Sequence, residues 1–307
     1  MHGPGTDLPE QDGARPMSRS RRAWIGTSWK MNKTRAEAVA YLAELRDWSR
    51  TSGLDADIAI FPPFTALAAA AAQLDSSRCP APADGAGQPS PTLHLGAQNM
   101  HWQASGAQTG EISAEMLLDC GVSVVELGHY ERRRHHGETD RSVNLKARAA
   151  IAAGLETVIC VGDSAEDRQY GVAAEVVARE VKIAVGGLPP QALASVVLAY
   201  EPAWAIGAGG QQAEPAHVEA IHRVIRAAVR QSHGPRAADW VRVVYGGSVG
   251  AASARSYATQ TAVDGLFVGR TGLTAAGFIR VIEEFCAAAP DAAGELVCLK
   301  GSAHDSC

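Results

Sequence analysis

Short apolar segments recur along the chain at nearly regular intervals. Each is four to six residues long and is bounded by glycine, proline or polar residues, as is typical of fully buried parallel strands. The segments span residues 24–27, 58–61, 93–97, 122–127, 157–161, 196–200, 241–245 and 265–268. They predict a fold that is built around eight buried strands.

Helical patterns fill most of the intervals between these segments. Thr34 and Glu37 form a capping box, and an apolar helix face follows it. That face carries Val39, Leu42 and Leu45. Pro215 opens a further helix with a single apolar stripe. The stripe consists of Val218, Ile221, Ile225 and Val229.

The alternation of strand and helix predicts the fold class. One strand–helix step takes about 34 residues, which matches the roughly 250 residues of a (β/α)8 barrel. We therefore predict an α/β protein with a single (β/α)8 barrel over residues 21–285. A doubly wound sheet of five or six strands is the alternative, but it leaves two or three apolar segments without a place.

The two ends of the chain lack this alternation. Residues 1–20 are rich in glycine, proline and charge and are predicted to form a disordered arm, with Met17 as an alternative start of translation. Residues 286–307 are predicted to form a loose tail. The proline- and glycine-rich segment 79–91 is predicted to be a surface insertion, because the strand–helix pattern resumes after it.

Composition and charge indicate which kinds of binding partner and which cellular location to expect. The 307 residues include 33 acidic and 28 basic side chains, and a net charge of −5 does not favour nucleic-acid binding. We predict no membrane association, since no apolar run reaches the roughly 18–20 residues of a membrane span. The beginning of the sequence lacks the apolar region of a secretory signal, and the six cysteines show no CxxC spacing. These features predict a cytoplasmic protein.

Polar residues that follow the predicted strands mark the candidate active site, because such barrels place their active sites at the C-terminal ends of the strands. Lys30 follows the first strand, His129 the fourth and Glu201 the sixth. Glycine-bearing loops follow the seventh and eighth strands, where this fold usually binds phosphate. Each side chain taken singly also has a purely structural explanation, and the functional interpretation depends on their occurrence together.

Two other patterns only partly match a metal site or a cofactor site. His135 and His136 are adjacent, so their side chains diverge, and no other histidine or cysteine has ligand spacing. The segment AIGAGG at 205–210 does not match the GxGxxG dinucleotide fingerprint. We therefore predict neither a metal ion nor an organic cofactor.

Several of these segments carry a family resemblance when they are taken together. The pieces are SWKMN (28–32), AQN (97–99), TGEIS (109–113), ELGHYERR (126–133), AYEPAWAIGAG (199–209), YGGSV (245–249) and DGLFVG (264–269). In this order and spacing they resemble the triosephosphate isomerase family over residues 24–284. The resemblance implies a cofactor-free aldose–ketose isomerase that interconverts dihydroxyacetone phosphate and glyceraldehyde 3-phosphate, in glycolysis and gluconeogenesis, through an enediolate.

The resemblance also implies a role for individual residues. Glu201 matches the general base, and His129 matches the neutral imidazole that polarises the carbonyl, an arrangement already established for this family. Lys30 matches the cation that attracts the substrate, and Glu131 the acid that pairs with it. Segment 202–209 matches a closing lid. The implied phosphate contacts are Gly207, Ser248 and Gly269.

Three site positions depart from the usual family pattern. Ser28 stands where the family normally has asparagine, Tyr130 replaces a small serine, and Arg270 replaces a glycine of the phosphate loop. GTSWKMNKT (26–34) with VGR (268–270) resembles a branch associated with four-carbon erythrulose phosphates in tetritol catabolism. Ser28 leaves space for one more hydroxymethyl group, whereas Tyr130 adds bulk. The substrate therefore stays open between triose and four-carbon sugar phosphates, and a barrel that binds phosphate without catalysis is a third reading.

The segment after the third predicted strand bears on oligomeric state. Residues 100–113 resemble the loop that enters the neighbouring subunit in this family, which is usually homodimeric. Met100, Trp102 and Thr109 suit burial against a partner. We therefore expect a homodimer.

Overall fold

Eight parallel strands close into a barrel in the order of the chain. The computed structural model describes residues 22–75, 90–207 and 209–289. The strands are β1 (Ala23–Ser28), β2 (Ala56–Phe61), β3 (Thr92–Ala97), β4 (Val124–Leu127), β5 (Glu156–Val161), β6 (Val196–Tyr200), β7 (Arg242–Tyr245) and β8 (Gly265–Val268). All eight predicted strands are present, and β8 pairs with β1, so the (β/α)8 barrel is confirmed and an open doubly wound sheet is excluded.

Helices surround this barrel. In the described residues they are α1 (Arg35–Ser49), α2 (Leu67–Asp75), α3 (Ala114–Asp119), α4 (Tyr130–His135), α5 (Asp140–Ala153), α6 (Ala165–Gln169), α7 (Ala173–Ala184), α8 (Pro215–His233), α9 (Pro235–Trp240), α10 (Ala251–Ala258) and α11 (Ala275–Cys286). None of them is long and apolar enough to cross a membrane. Each of the strands is thus linked to the next by a segment that contains at least one helix.

Two helix predictions can be compared with the structure in detail. Thr34 caps α1 through a capping box with Glu37, as the sequence predicts. The buried face of α1 is shifted, however, and Val39 is only partly buried. The apolar residues that α1 buries are Ala38, Tyr41, Leu42 and Leu45. The predicted stripe of α8 is buried throughout.

A separate apolar cluster fills the interior of the barrel. It consists of Trp24, Ala59, Phe61, Val124, Val158, Cys160, Val197, Ala199, Val244 and Phe267. Since side chains alternate along a strand, Glu126 faces the same interior as Val124, and Ser28 faces it two positions after Gly26. Both polar groups lie at the C-terminal end of their strands, directly above the apolar filling.

Three predicted segments lie wholly or mostly outside the described residues. The predicted arm (1–20), nearly all of the insertion (79–91) and most of the tail lie outside the described residues. The sequence predicts that the tail starts at Cys286, but this residue still belongs to α11. Cys120, Cys160 and Cys286 are free thiols.

Candidate active site

A cavity of about 460 Å³ opens at the C-terminal ends of the strands, where the sequence predicts the site. Eight of the predicted site residues line it: Ser28, Lys30, His129, Glu201, Gly207, Ser248, Gly269 and Arg270. Glu131 does not line the cavity and contacts it through Lys30. The strand ends thus bring together side chains that are up to 242 positions apart in the chain, counted from Ser28 to Arg270.

Close backbone packing fixes the position of Glu201, which directly follows β6. A Cβ at Gly162 would lie 2.0 Å from the carbonyl oxygen of Glu201, and a Cβ at Gly246 would lie 2.7 Å from its Cγ. Glycine at both positions therefore lets the ends of β5 and β7 approach the base. The residue is only 4 % exposed, and its Oε2 accepts a hydrogen bond from the Tyr130 N–H at 3.3 Å.

The hydrogen bonds of His129 determine which ring nitrogen faces the reaction. Nδ1 accepts a hydrogen bond from the backbone N–H of Glu131 at 3.1 Å, at the start of α4. A nitrogen that accepts such a bond carries no hydrogen, so the neutral ring carries its hydrogen on Nε2. Nε2 lies 3.7 Å from Oε1 of Glu201. The imidazole therefore presents a donor next to the base.

Lys30 supplies a fixed positive charge at the rim of the cavity. Its Nζ lies 2.8 Å from Oε1 of Glu131. Its backbone adopts a left-handed conformation with φ of 53°, which a non-glycine residue seldom does, and Gln98 donates a hydrogen bond to its carbonyl oxygen. Burial alone would raise the pKa of Glu131, but the hydrogen bond and charge of Lys30 outweigh it and lower that pKa. The pair is thus a true ion pair.

The segment after Glu201 covers one side of the cavity. Ala205, Ile206 and Gly207 line it, and Gly207 has a left-handed φ of 85°. The start of this segment is tied to the end of β5, because Trp204 donates a hydrogen bond to Oδ2 of Asp163 at 2.9 Å. The beginning of the segment is therefore anchored.

The glycine-bearing loops after β7 and β8 form the adjoining wall, since β7 pairs with β6. Gly246, Gly247, Ser248 and Gly269 line the cavity there, and Arg270 adds an exposed cationic side chain. Backbone N–H groups, a hydroxyl and a cation are the donors that phosphate groups bind. This wall is therefore suited to hold a phosphate at the rim.

Tyr130 does not crowd the cavity, contrary to the expectation from its size. Its side chain is not among those that line the site, and its hydroxyl accepts a hydrogen bond from Arg134 at 2.7 Å. It contributes its backbone N–H, which holds Glu201. The side-chain bulk at this position therefore does not restrict the substrate.

The site contains one buried acid that no sequence motif predicts. Glu126 is 1 % exposed and accepts a hydrogen bond from Oγ of Ser28 at 2.7 Å. Burial raises its pKa to about 7; the charge of Glu201 adds to this effect, and His129 opposes it. An acidic residue at an interior-facing position of an otherwise apolar strand was the signal in the sequence. In the described part of the chain, Glu126, His129 and Glu201 form the one trio able to hold a metal ion, with ligand atoms within 4.8 Å of one another.

The raised pKa of Glu126 predicts a pH-dependent cost in stability. This group ionises near pH 4.5 in the unfolded chain and near pH 7 in the folded chain. Its contribution to stability is therefore complete below pH 4.5 and is lost as the pH rises through 7. Glu126→Gln avoids this loss. We compare the free energy of unfolding of Glu126→Gln with that of the wild type at each pH. We expect this difference to be about 2–3 kcal/mol more favourable to the variant at pH 8 than at pH 4.5. Urea unfolding at both pH values measures the difference, and an equal effect at both would refute it.

Comparisons with known proteins agree with this geometry. The family model described as triosephosphate isomerase matches residues 23–285. An L-erythrulose-1-phosphate isomerase of Rhizobium rhizogenes is 40 % identical over 273 residues, which cover 89 % of this chain and 97 % of the relative. A triosephosphate isomerase of Chloroflexus aurantiacus is 42 % identical, and the match covers 84 % of this chain and 97 % of that protein. The chain therefore belongs to the triosephosphate isomerase family.

Proposed function

We propose that this enzyme interconverts dihydroxyacetone phosphate and glyceraldehyde 3-phosphate. The observation that supports this most directly is the meeting of Glu201, His129 and Lys30 in one cavity beside glycine-bearing loops. A carboxylate, an imidazole N–H and an ammonium group are the groups that a proton shift next to a carbonyl requires. Family membership and the names of the relatives support the same reaction class.

The mechanism follows from the positions of these three groups. The Glu201 carboxylate takes a proton from the carbon next to the carbonyl, and the Nε2–H of His129 donates a hydrogen bond to the carbonyl oxygen. Electrons from the broken C–H bond form the enediolate, which the Lys30 ammonium stabilises. Protons then move between the two oxygens through His129, and Glu201 returns its proton to the adjacent carbon. No electrons are gained or lost overall.

Segment 202–209 protects this intermediate in the proposed mechanism. An enediol phosphate in water can eliminate its phosphate, so the site must exclude water during the reaction. The segment already contributes Ala205, Ile206 and Gly207 to the cavity wall. We propose that it closes over the bound substrate and that Gly207 then donates its N–H to the phosphate.

A four-carbon ketose phosphate is the second candidate substrate. The observation that favours it is the side chain of Ser28, which is shorter than the family's usual asparagine and lines the cavity, while Tyr130 leaves the cavity free. One relative at 40 % identity is named for L-erythrulose 1-phosphate. The same proton shift applies to this substrate.

Assays on the purified protein test both candidates. We expect turnover of glyceraldehyde 3-phosphate in a coupled assay that oxidises NADH as dihydroxyacetone phosphate is reduced. Turnover of L-erythrulose 1-phosphate alone would replace the first candidate by the second. Absence of turnover with either sugar phosphate would overturn the proposal and favour a barrel that binds phosphate without catalysis.

We further propose that the enzyme is a cytoplasmic homodimer. Met31, beside the cavity, is 97 % exposed, and Phe64 and Trp102 are exposed as well. Such side chains are enriched in protein interfaces. Met100, which the sequence suggests for burial against a partner, is instead buried in the core of its own chain. Sedimentation at micromolar concentration is expected to show dimers, and a monomer would contradict the proposal.

A further inference from the structure

The floor of the cavity contains a polar pair that the isomerisation mechanism does not use. Ser28 extends from β1 and Glu126 from β4, and Oγ of Ser28 donates a hydrogen bond to Oε2 of Glu126 at 2.7 Å across the barrel. Ser28 lines the cavity, and Glu126 lies directly behind it. The acid is therefore one hydrogen bond away from the bound substrate.

Glu126 has hydrogen-bonding capacity to spare. Its Oε1 is buried and has no hydrogen-bond partner in the part of the chain that the structure describes. A buried acceptor without a partner is costly, since its desolvation is not compensated. Val124 and Val158 of the interior cluster show that apolar side chains fill equivalent interior positions of β4 and β5. An apolar side chain at this position would avoid that cost, so the carboxyl group is expected to have a role that an apolar residue cannot fill.

Ser28 changes what the floor offers to a substrate. The asparagine that the family usually has here would point an amide donor at the substrate. Ser28 instead donates its one hydroxyl hydrogen to Glu126, so its lone pairs remain to accept a hydrogen bond. The floor therefore presents Oγ of Ser28 as an acceptor, held in place from behind by Glu126, and more room. This combination fits a hydroxyl group that donates.

The chemistry of a four-carbon substrate places such a hydroxyl here. In L-erythrulose 1-phosphate, a hydroxymethyl group replaces one hydrogen on the carbon from which Glu201 takes its proton. If the phosphate is bound at the rim and the reacting carbon lies beside Glu201, this group extends from that carbon towards the floor at Ser28. A ligand atom of Glu126 lies within 4.8 Å of those of Glu201 and His129.

We propose that Ser28 and Glu126 form a subsite for the terminal hydroxymethyl group of a four-carbon ketose phosphate, and that the enzyme isomerises this substrate in addition to triose phosphate. The inference rests on the proposed isomerase function. In the four-carbon reaction the proton leaves C3 and returns to C2 while the carbonyl moves from C2 to C3, so that one ketose phosphate becomes another. Glu126 takes no part in the proton transfer and determines specificity.

The charged groups around the subsite allow this role. Lys30 follows β1, His129 follows β4 and Glu201 follows β6, while β5 contributes the buried thiol of Cys160. Burial and the neighbouring charges of Glu201 and Glu126 raise the pKa of this thiol, so it stays neutral. The raised pKa of Glu126 leaves part of the population neutral at pH 7. Either form of its carboxyl group retains an oxygen that accepts the hydroxyl hydrogen of Ser28, so Oγ of Ser28 stays free to accept the substrate hydroxyl.

Kinetic constants for both substrates test the subsite. The wild type, Glu126→Leu, Glu126→Gln and Ser28→Asn are assayed with glyceraldehyde 3-phosphate and with L-erythrulose 1-phosphate. We expect Glu126→Leu and Ser28→Asn to lower kcat/KM for the four-carbon substrate about 10- to 100-fold more than for the triose. Glu126→Gln keeps an acceptor oxygen, so its substrate ratio is expected to stay within about fivefold of the wild type.

A matched control separates the subsite from general packing. Thr157→Val removes a buried hydroxyl that has no hydrogen-bond partner in the described residues and lies near the start of the neighbouring strand β5, away from the subsite. It is expected to leave the substrate ratio unchanged, and circular dichroism confirms that each variant is folded. Should Glu126→Leu fail to fold, Ser28→Asn and Glu126→Gln still measure the ratio.

The outcomes distinguish the inference from the function on which it rests. A wild type that isomerises triose phosphate but not L-erythrulose 1-phosphate refutes the subsite and leaves the proposed function standing. Equal losses on both substrates in Glu126→Leu also refute it, because they would show that Glu126 acts through Glu201. A wild type without activity on either substrate refutes the proposed function itself.

Discussion

Glu201→Gln is expected to lower kcat for glyceraldehyde 3-phosphate by about 10²- to 10⁴-fold, which is the contribution of a positioned base to such a proton transfer. The amide has nearly the same shape and can still accept the hydrogen bond from Tyr130, so the geometry of the site is preserved. What is lost is the ability to take the proton. The loss should therefore appear in kcat and only weakly in KM, as measured in the coupled assay.

Two further variants sharpen this test. Glu201→Asp keeps the carboxylate but withdraws it by one C–C bond, so we expect a clear fall in kcat with little change in KM. Glu175→Gln makes the same chemical change at an exposed position of α7 and is expected to have no effect. An unchanged kcat in Glu201→Gln would remove Glu201 from its role as the base.

The fold could be predicted because local patterns and global topology agree. All eight strands are buried, so they appear in the sequence as apolar segments, and the capping box at Thr34 marks the start of α1. The exact buried face of α1 could not be predicted in the same way. Tyr41 lies on that face because it packs on Trp29 and donates its hydroxyl hydrogen to the carbonyl of Gly272, contacts that are distant in sequence.

Short motifs predict which residues form the site. The expectations that the structure corrects concern the direction in which side chains point. Lys30, His129 and Glu201 follow strands, and parallel strands of a barrel end on the same side, so their meeting follows from topology. The turn of Tyr130 towards Arg134 depends on a contact between two polar side chains that no motif records. The link from Ser28 to Glu126 crosses the barrel and joins residues 98 positions apart. The pattern of apolar and polar residues along the chain does not indicate that these two side chains form a hydrogen bond.

The distribution of charge explains how a small cavity tolerates several ionisable groups. Lys30 offsets Glu131, the Nε2 side of the imidazole faces Glu201, and the raised pKa of Glu126 limits its negative charge. Glu201 then remains as the carboxylate next to the reacting carbon. The ammonium of Lys30 is the group that a bound anion would meet at this side of the cavity, and its removal should therefore have a large effect.

Lys30→Met is expected to lower kcat/KM for triose phosphate by about 10²- to 10³-fold, comparable to the loss of one donor that faces a developing oxyanion. Methionine keeps the length and apolar stem of lysine, so the change removes mainly the charge. The loss of activity should not result from unfolding of the variant. The Lys30–Glu131 pair is partly exposed, and such pairs contribute little to the free energy of folding. Steady-state kinetics at low and moderate salt measure both affinity and turnover.

A double variant separates catalysis from the ion pair. In Lys30→Met, Glu131 is left without its cation; adding Glu131→Gln removes that unpaired charge and should recover any lost thermal stability. It should not recover kcat/KM, because the substrate and the enediolate still lack the ammonium group. If the double variant regained activity, the role of Lys30 would be to neutralise Glu131, and the assignment of the cation to the reacting oxygens would be wrong.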